Sequence, residues 1–321
     1  MTATCTPPST AVVPQRHSLR SAILDGLRST PKTLPATLFY DERGAALFEE
    51  ICTLPEYYLT RTEESILGAN ATAIASLMGP HVALIELGSG AATKVRPLLS
   101  AMQQPLAYIP VDVSREQLMD VAAERAREFP QLQVLPVWAD YTEGVHLPQL
   151  PAKARRVAFF PGSTIGNLHP TEASAFLHTV RDLVGTEGGM VLGVDRRKNT
   201  EALHAAYNDA KGVTAAFNLN MLEHLNREFE GNFDMTAFRH AAHFNSDDSR
   251  IEMHLQAVVA HTVRVAGDEF YVAEGESIRT EVSYKYDRAR LDAVALAGGW
   301  RVEQLFTDAH DQFWVAWLRP A

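Results

Sequence analysis

Cysteine is scarce in this 321-residue chain: Cys5 and Cys52 are the only two, and the first stands in a proline-rich leader. Two thiols so placed argue against a disulfide framework and fit a reducing, cytoplasmic setting. No apolar run approaches the roughly 20 residues that a bilayer-spanning helix needs, which leaves the membrane out. Residues 1–16 lack the basic start and apolar stretch of a secretory signal, and with Pro7, Pro8 and Pro14 they read as a disordered lead-in. Basic charge is short as well, with 29 Lys and Arg against 39 Asp and Glu, a net −10 with histidine neutral. Such a chain has no long-range field to gather phosphates, so a nucleic-acid partner is not expected. What the chain does have is apolar content, 46%, enough to exclude general disorder and to bury a sizeable core.

From residue 82 onward, short apolar runs alternate with amphipathic stretches. The runs are VALIEL (82–87), AYIPVDV (107–113), QVLPVWAD (133–140), RVAFFPGS (156–163) and MVLGVD (190–195). Strands buried on both faces are continuously hydrophobic, and helices between them imply a parallel, doubly wound α/β sheet. Between the second and third runs, Ser114 and Gln117 have capping-box spacing for a helix to Glu128. Two stretches stand outside the alternation, 17–61 and 198–286, and read together as a second α+β unit over the mouth of the sheet. In the first, Thr60 and Glu63 have the spacing to cap the next helix, and the pair Glu63–Glu64 reads as a solvated face. In the second, helical text gives way to RIEMHLQAVVAHTVRV, whose apolar residues Ile251, Met253, Leu255, Ala257, Val263 and Val265 recur at period 2. That pattern predicts one half-buried antiparallel strand after an NSDDS turn. Residues 300–319 read as a closing hairpin.

The sharpest local signal is IELGSGAATK (85–94): a strand ending in an acid, a tight turn through Gly88 and Gly90, then a helix. Such glycines let a ligand approach the backbone and the unpaired N–H groups of a helix start. A dinucleotide fingerprint wants a third glycine where Thr93 stands, so the turn leans away from NAD. Asp112, ending the second strand, is placed to accept from two ribose hydroxyls. Asp140 could take an adenine amino group while Tyr141 covers the ring. This ordered series resembles the S-adenosylmethionine-dependent class I methyltransferase fold, Rossmann-like with a C-terminal antiparallel hairpin. Where adenine-directed members carry a proline-rich (Asn/Asp)-Pro-Pro-(Tyr/Phe) segment, this chain has PGSTIGN (161–167), which disfavours a nucleic-acid base as substrate.

PGSTIGNL, taken with FYDERGAALFEEI, LPEYYLTRTE, AYNDAKGVTAAFNLN, RIEMHL and TEVSYKY, resembles the histidine Nα-methyltransferases of ergothioneine biosynthesis from about Leu34 to the end. The resemblance implies a methyl donor, S-adenosylmethionine, no metal, and L-histidine with its mono- and dimethyl forms as substrate, trimethylated at the α-amine to hercynine by a monomer. It makes 62–197 with 287–321 the S-adenosylmethionine-binding domain, and 17–61 with 198–286 the substrate-binding domain. Carried over position by position, Tyr57, Asn167 and Tyr207 hold the carboxylate and amine, with Gly162 and Tyr40 beside the amine. Glu281, Val282 and Ser283 meet the imidazole, and Met253 lines that pocket. Gly88, Lys94, Asp112, Asp140 and Tyr141 contact the methyl donor. The residue types suit the task. Glu281 and Ser283, two apart in extended chain, share a face and match the donor and acceptor of a neutral imidazole. Phenols and an amide hold a carboxylate without a full positive charge that would repel a cationic donor. The carried-over catalytic roles are proton removal from the amine by Tyr40, directly or through water, and lone-pair orientation by Asn167.

Each residue alone has an ordinary reading: Tyr57, Tyr207 and Met253 as packing, Glu281 and Lys94 as solvated charges, Asn167 as a cap for the helix after Pro170. The histidines, including the pairs His240/His243 and His254/His261, lack HExxH spacing and read as structural. Two other functions stay open: an N-methyltransferase of a tryptophan-derived amine, whose pocket has no use for Glu281, and a non-catalytic S-adenosylmethionine-binding regulator.

Overall fold

The continuous apolar runs become the strands of one large sheet, as text buried on both faces should. The computed structural model describes residues 16–142 and 144–321, so the lead-in through residue 15, Cys5 included, lies outside the described residues. The chain begins with α1 (Arg16–Arg28), β1 (Lys32–Thr33), α2 (Glu42–Thr53), α3 (Tyr58–Met78), β2 (Val82–Leu87), α4 (Arg96–Ala101), β3 (Ala107–Asp112) and α5 (Arg115–Glu128). It continues with β4 (Gln133–Val134), β5 (Val137–Trp138), β6 (Arg155–Phe160), α6 (Pro170–Val184), β7 (Gly189–Asp195), α7 (Thr200–Tyr207) and α8 (Val213–Glu228). Then come β8 (Phe238–Asn245), β9 (Arg250–Ala257), β10 (His261–Val265), β11 (Asp268–Val272), β12 (Ser277–Tyr284), α9 (Arg288–Ala297), β13 (Trp300–Thr307) and β14 (Phe313–Pro320).

The large sheet runs β13-β14-β7-β6-β2-β3-β4, with β5 also paired to β3. Strands β2 to β7 are parallel, while β14 lies antiparallel between β7 and β13, so the expected closing hairpin is present. From β2 the chain winds first towards β3 and β4, then returns to β6 on the other side. That reversal opens a crevice at the carboxyl ends of the central strands, which is where ligands of doubly wound sheets lie. The run 133–140 is interrupted at Pro136, which has no N–H to give a ladder, and leaves two short strands.

A second sheet, β1-β12-β9-β8, joins the two stretches that stood outside the alternation, with β1 from near the N-terminus parallel to β12. The single strand expected over 250–265 is two: β9 in this sheet and β10 in a separate hairpin with β11, parted at Val258–Ala260. The period-2 reading of which residues point inward still holds, since Ile251, Met253, Leu255, Ala257, Val263 and Val265 are all buried. The helical text divides as well. Asp209 accepts from Val213 N (2.9 Å) and Thr214 N (2.8 Å), ending α7 and starting α8.

One apolar core lies under the small sheet and others on the two faces of the large one. Helix α3 crosses the boundary expected at 61/62: Tyr58 and Leu59 belong to the first core, Ile66 to Met78 to the large sheet. The capping role expected of Thr60 and Glu63 is not seen. The helix begins two residues earlier at Tyr58, which moves Glu63 inward to full burial rather than onto a solvated face. Ser114 does stand at the N-cap of α5, but its side chain makes no capping bond.

Candidate active site

At the crevice, β2 ends in a turn that only glycine fits comfortably. Gly88 has φ +70° and a Cβ there would stand 3.2 Å from the Tyr141 ring; Gly90 has φ +47°. Gly88 N and Ser89 N donate to Val111 O, tying the turn to β3, and Gly90 N donates to Asp112 Oδ2 at 2.9 Å. The other oxygen of Asp112 accepts from Ser114 N (2.9 Å), so the carboxylate is aimed by backbone from both sides. Asp140 is held by Thr142, whose N–H and hydroxyl both donate to its Oδ1. Beside them Leu87, Tyr141, Val145, His146, Thr179, Val180 and Leu183 line a cavity. Ser89 Oγ is buried in the turn with no partner among the described residues, an unpaired polar atom of the kind a bound ligand satisfies. Gly88, Ser89, Asp112, Asp140 and Tyr141 therefore fit an adenosyl group with a polar tail. Glu86, just before the turn, accepts from Tyr108 OH, and burial raises its pKa to about 8.

Glu63 joins this turn to a second cavity. Its carboxylate accepts from Gly162 N at 3.0 and 2.9 Å and from Lys94 Nζ at 2.7 Å. Burial works against the Lys94 charge, but Glu63 outweighs it and the ammonium is held above its usual pKa. A Cβ on Gly193 would strike Glu63 Oε1 at 2.0 Å and one on Gly162 would stand 3.6 Å from Lys94 Nζ. The glycines thus make room for the link between the glycine turn and the second cavity.

The second cavity collects Tyr40, Tyr57, Gly162, Asn167, Tyr207, Met253, Glu281 and Ser283, residues from six separate stretches of chain. Asn167 closes a short 3-10 helix, 164–167, after β6. Glu281 and Ser283 face the cavity from β12, opposite Met253 of β9. Burial lifts the Glu281 carboxyl to about 7, with Lys285 pulling the other way. Burial likewise lifts the phenols of Tyr57 and Tyr207. Tyr40 stands at the mouth, 52% exposed, and the surrounding protein followed by the Glu281 carboxylate keeps its hydroxyl protonated far past neutrality. Aromatic rings make one wall: Phe48 lies 6.0 Å from Tyr40 and 6.3 Å from Tyr57, and Phe217 6.1 Å from Tyr40. Such a wall offers π-faces to a cationic head group.

The family model "Histidine-specific methyltransferase, SAM-dependent" matches residues 19–320. The chain belongs to this family. It is 42% identical over 302 residues to "Histidine N-alpha-methyltransferase" of Mycolicibacterium smegmatis, spanning 92% of this chain and 93% of that protein. Over 201 residues it is 35% identical to "Ergothioneine biosynthesis protein 1" of Neurospora crassa, covering 61% of this chain and 23% of that one. A more distant relative is "4-dimethylallyltryptophan N-methyltransferase" of Epichloe festucae var. lolii, 28% identical over 308 residues, 88% of this chain and 89% of the other.

Of the residues that sequence reasoning gathered for substrate, this methyltransferase turns one away. Val282 alternates to the other face of β12 and packs in the core of the large sheet, away from the cavity that Glu281 and Ser283 line. Several side chains of the site escaped notice. Phe48 and Phe217 line the cavity as ordinary helix-face apolars, and Glu63 lay under a capping reading. Behind the cavity, Lys285 is fully buried, its Nζ 2.9 Å from Asp195 Oδ2, 2.9 Å from Ser283 Oγ and 3.1 Å from Tyr207 OH. Tyr58 OH donates to the same Asp195 oxygen at 2.7 Å, and Lys198 pairs with the other. Burial opposes the Asp195 charge, yet the two ammoniums hold its pKa below the usual value. Burial brings Lys198 down to about 8. Tyr207 and Ser283 are thus backed by a buried cation, which the cavity-facing residue types alone did not require.

Pairing of β8 with β9 also unites two histidines that were read apart. His243 and His254 stack at 5.0 Å beside Glu252, whose Oε2 is 3.8 and 3.2 Å from their Nε2 atoms. Arg250 meets the other oxygen at 2.6 Å. Burial opposes the charge of Glu252, but the Arg250, Asn245 and His254 bonds bring its pKa down to about 2. An arginine already neutralises this carboxylate, which makes the cluster an ion-pair network on the outer face of the sheet.

Proposed function

We propose that this methyltransferase transfers three methyl groups in turn to the α-amine of L-histidine, giving hercynine, the first step towards ergothioneine. The observation that carries the reading is the cavity itself. Eight side chains and backbone groups expected from six stretches line one space, with a carboxylate and a hydroxyl at one end and the Gly162–Glu63–Lys94 link at the other. When bound, S-adenosylmethionine supplies an electrophilic methyl on a sulfonium.

The chain's own work is to bind, orient and deprotonate. Glu281 accepts the ring N–H and Ser283 donates to the other ring nitrogen, a match that penalises rings lacking either group. Tyr57, Asn167 and Tyr207 fix the carboxylate and amine, and Asn167 orients the lone pair; positioning is the main catalytic lever. Tyr40, protonated at rest, passes the amine proton on rather than storing it. The aromatic wall of Tyr40, Phe48, Tyr57 and Phe217 suits the growing trimethylammonium. Gly88, Asp112, Asp140 and Tyr141 hold the adenosyl end, and Lys94 the carboxylate of the methionine tail. We assign no metal, because displacement of a neutral thioether from a sulfonium needs no Lewis acid.

An indole substrate is less well served, since it has an N–H for Glu281 but no ring acceptor for Ser283, and its larger ring needs more room beside Met253. A regulator without catalysis would have no use for the amino-acid clamp. We further infer that the enzyme works as a cytoplasmic monomer on a small molecule, apart from nucleic acid and membrane. No described helix is long and apolar enough to cross a bilayer. The test is incubation of purified protein with S-adenosylmethionine and a panel of amino acids. Mass spectrometry is expected to show increments of one, two and three methyls on histidine. Product from tryptophan alone, or from no amine, would overturn the reading.

A further inference from the structure

We propose that Lys285 is a positioning residue that fixes the polarity of the ring end, making Ser283 a hydrogen-bond donor to the substrate ring and admitting only a neutral imidazole in one tautomer. The inference rests on the reading that Glu281 and Ser283 meet the ring. Glu281, Ser283 and Lys285 are alternate residues of extended chain, so all three share one face and Lys285 stands directly behind the pair.

An ammonium has three hydrogens and no acceptor. In Lys285 all three are used, on Asp195 Oδ2 (2.9 Å), Tyr207 OH (3.1 Å) and Ser283 Oγ (2.9 Å). A hydroxyl has two lone pairs and one hydrogen. Ser283 Oγ accepts from Lys285, and across the 2.9 Å contact with Tyr207 the phenol, far the more acidic of the two hydroxyls, is the donor, so both lone pairs are filled. Its own hydrogen is then left for the cavity, which Ser283 lines. Tyr207 spends its hydrogen on Ser283 and keeps one lone pair, so it can accept from the substrate amine but not donate to a carboxylate. The ring therefore meets one donor, Ser283, and one acceptor, Glu281.

The experiment compares histidine with two ring analogues, pyrrolylalanine (N–H, no acceptor nitrogen) and thiazolylalanine (acceptor nitrogen, no N–H), in wild type, Lys285→Met and Lys285→Gln. Wild type should favour histidine over both. Lys285→Met frees the Ser283 hydrogen to turn towards Tyr207, so the preference over pyrrolylalanine should fall about tenfold. The preference over thiazolylalanine, set by Glu281, should persist, and the loss on histidine should fall on KM more than on kcat. Lys285→Gln, which still donates, should recover part of the ratio. A folded Lys285→Met enzyme with the wild-type ratio would overturn the proposal. Because that variant could fail to fold, the wild type is also examined by NMR with ring-15N histidine. One neutral tautomer across pH 7–9 is expected; a bound imidazolium or a tautomer mixture would overturn it. If wild type itself does not distinguish the three rings, the reading of the ring site has failed, not the role of Lys285.

Discussion

The two ends of the site are built in opposite ways. The end we assign to the cofactor is local in sequence, a glycine turn and two strand-end acids that all lie within the stretch 82–141. The ring end is made of side chains from distant segments, held by a buried ammonium–carboxylate pair. Backbone recognition tolerates changes of side chain but not of conformation. Side-chain recognition fails when one group is lost, because its partners stay buried and unpaired. Substitutions that strike each end separately sharpen this contrast.

The largest effect is expected for Glu281→Ala. It removes the carboxylate that lines the cavity beside Ser283, and kcat/KM for histidine should fall about a thousandfold, the scale on which polar pockets reject mismatched partners. Cofactor affinity, measured by calorimetry, should be unchanged within about twofold. An equal loss at both ends would break the separation. Gly88→Val does the reverse. It forces a β-branched residue to positive φ and into Tyr141, so cofactor affinity should drop about a hundredfold, with about 2 kcal/mol of stability lost. Whatever cofactor-loaded enzyme remains should keep the wild-type order of ring analogues.

The same contrast decides what was legible in the sequence. Gly88, Asp112, Asp140 and Tyr141 could be read because local order along alternating strands and helices fixes their place. Glu281 and Ser283 could be paired because two residues apart in a strand means one face. Glu63 could not, since a carboxylate three residues after Thr60 has the same spacing whether it caps a helix or lies one turn inside it. Only the helix start at Tyr58 decides between these. Lys285 was hidden for a related reason: a lysine after a strand is ordinarily solvated, and its partner Asp195 is 90 residues away at the end of β7. The break between β9 and β10 was missed because both strands keep the same inward parity. Fold and cofactor turn are local patterns, whereas buried ion pairs are tertiary facts.

A third test uses pH. The Glu281 carboxyl titrates at about 7 in the free cavity because burial disfavours its charged form. A raised acid is protonated below that value, so the charged carboxylate, the stronger acceptor for the ring N–H, forms as pH rises through it. Free imidazole also becomes neutral over this range, near 6.5. Histidine affinity should therefore rise about fortyfold from pH 6 to 8 and then level, as both groups lose their protons. In Glu281→Gln only the ring titrates, and the rise should shrink to about fourfold. The sign for stability is opposite. A carboxyl raised from 4.5 to about 7 makes the ligand-free fold lose stability as pH climbs through that window, relative to Glu281→Gln. Thermal melts of the pair at pH 5 and pH 8 check this; a difference that does not change with pH would place the titration elsewhere.

The smallest effect is expected where the two ends meet. Tyr40 is half open to solvent and its phenol remains protonated far above neutral pH, so it has no standing charge with which to take a proton. A true resting base would contribute a hundredfold or more, about 10²–10⁴. A phenol that only relays a proton or steadies the amine contributes one hydrogen bond, about tenfold in kcat. Tyr40→Phe should thus lower kcat about tenfold at pH 7.5. The deficit should narrow above the pKa of the substrate amine, where no proton needs to leave. The aromatic face at this position survives the change, so binding of hercynine should be untouched. Rates equal to wild type at every pH would remove Tyr40 from the proton path, and a thousandfold loss would make it the base itself, with its proton drawn off in the bound state.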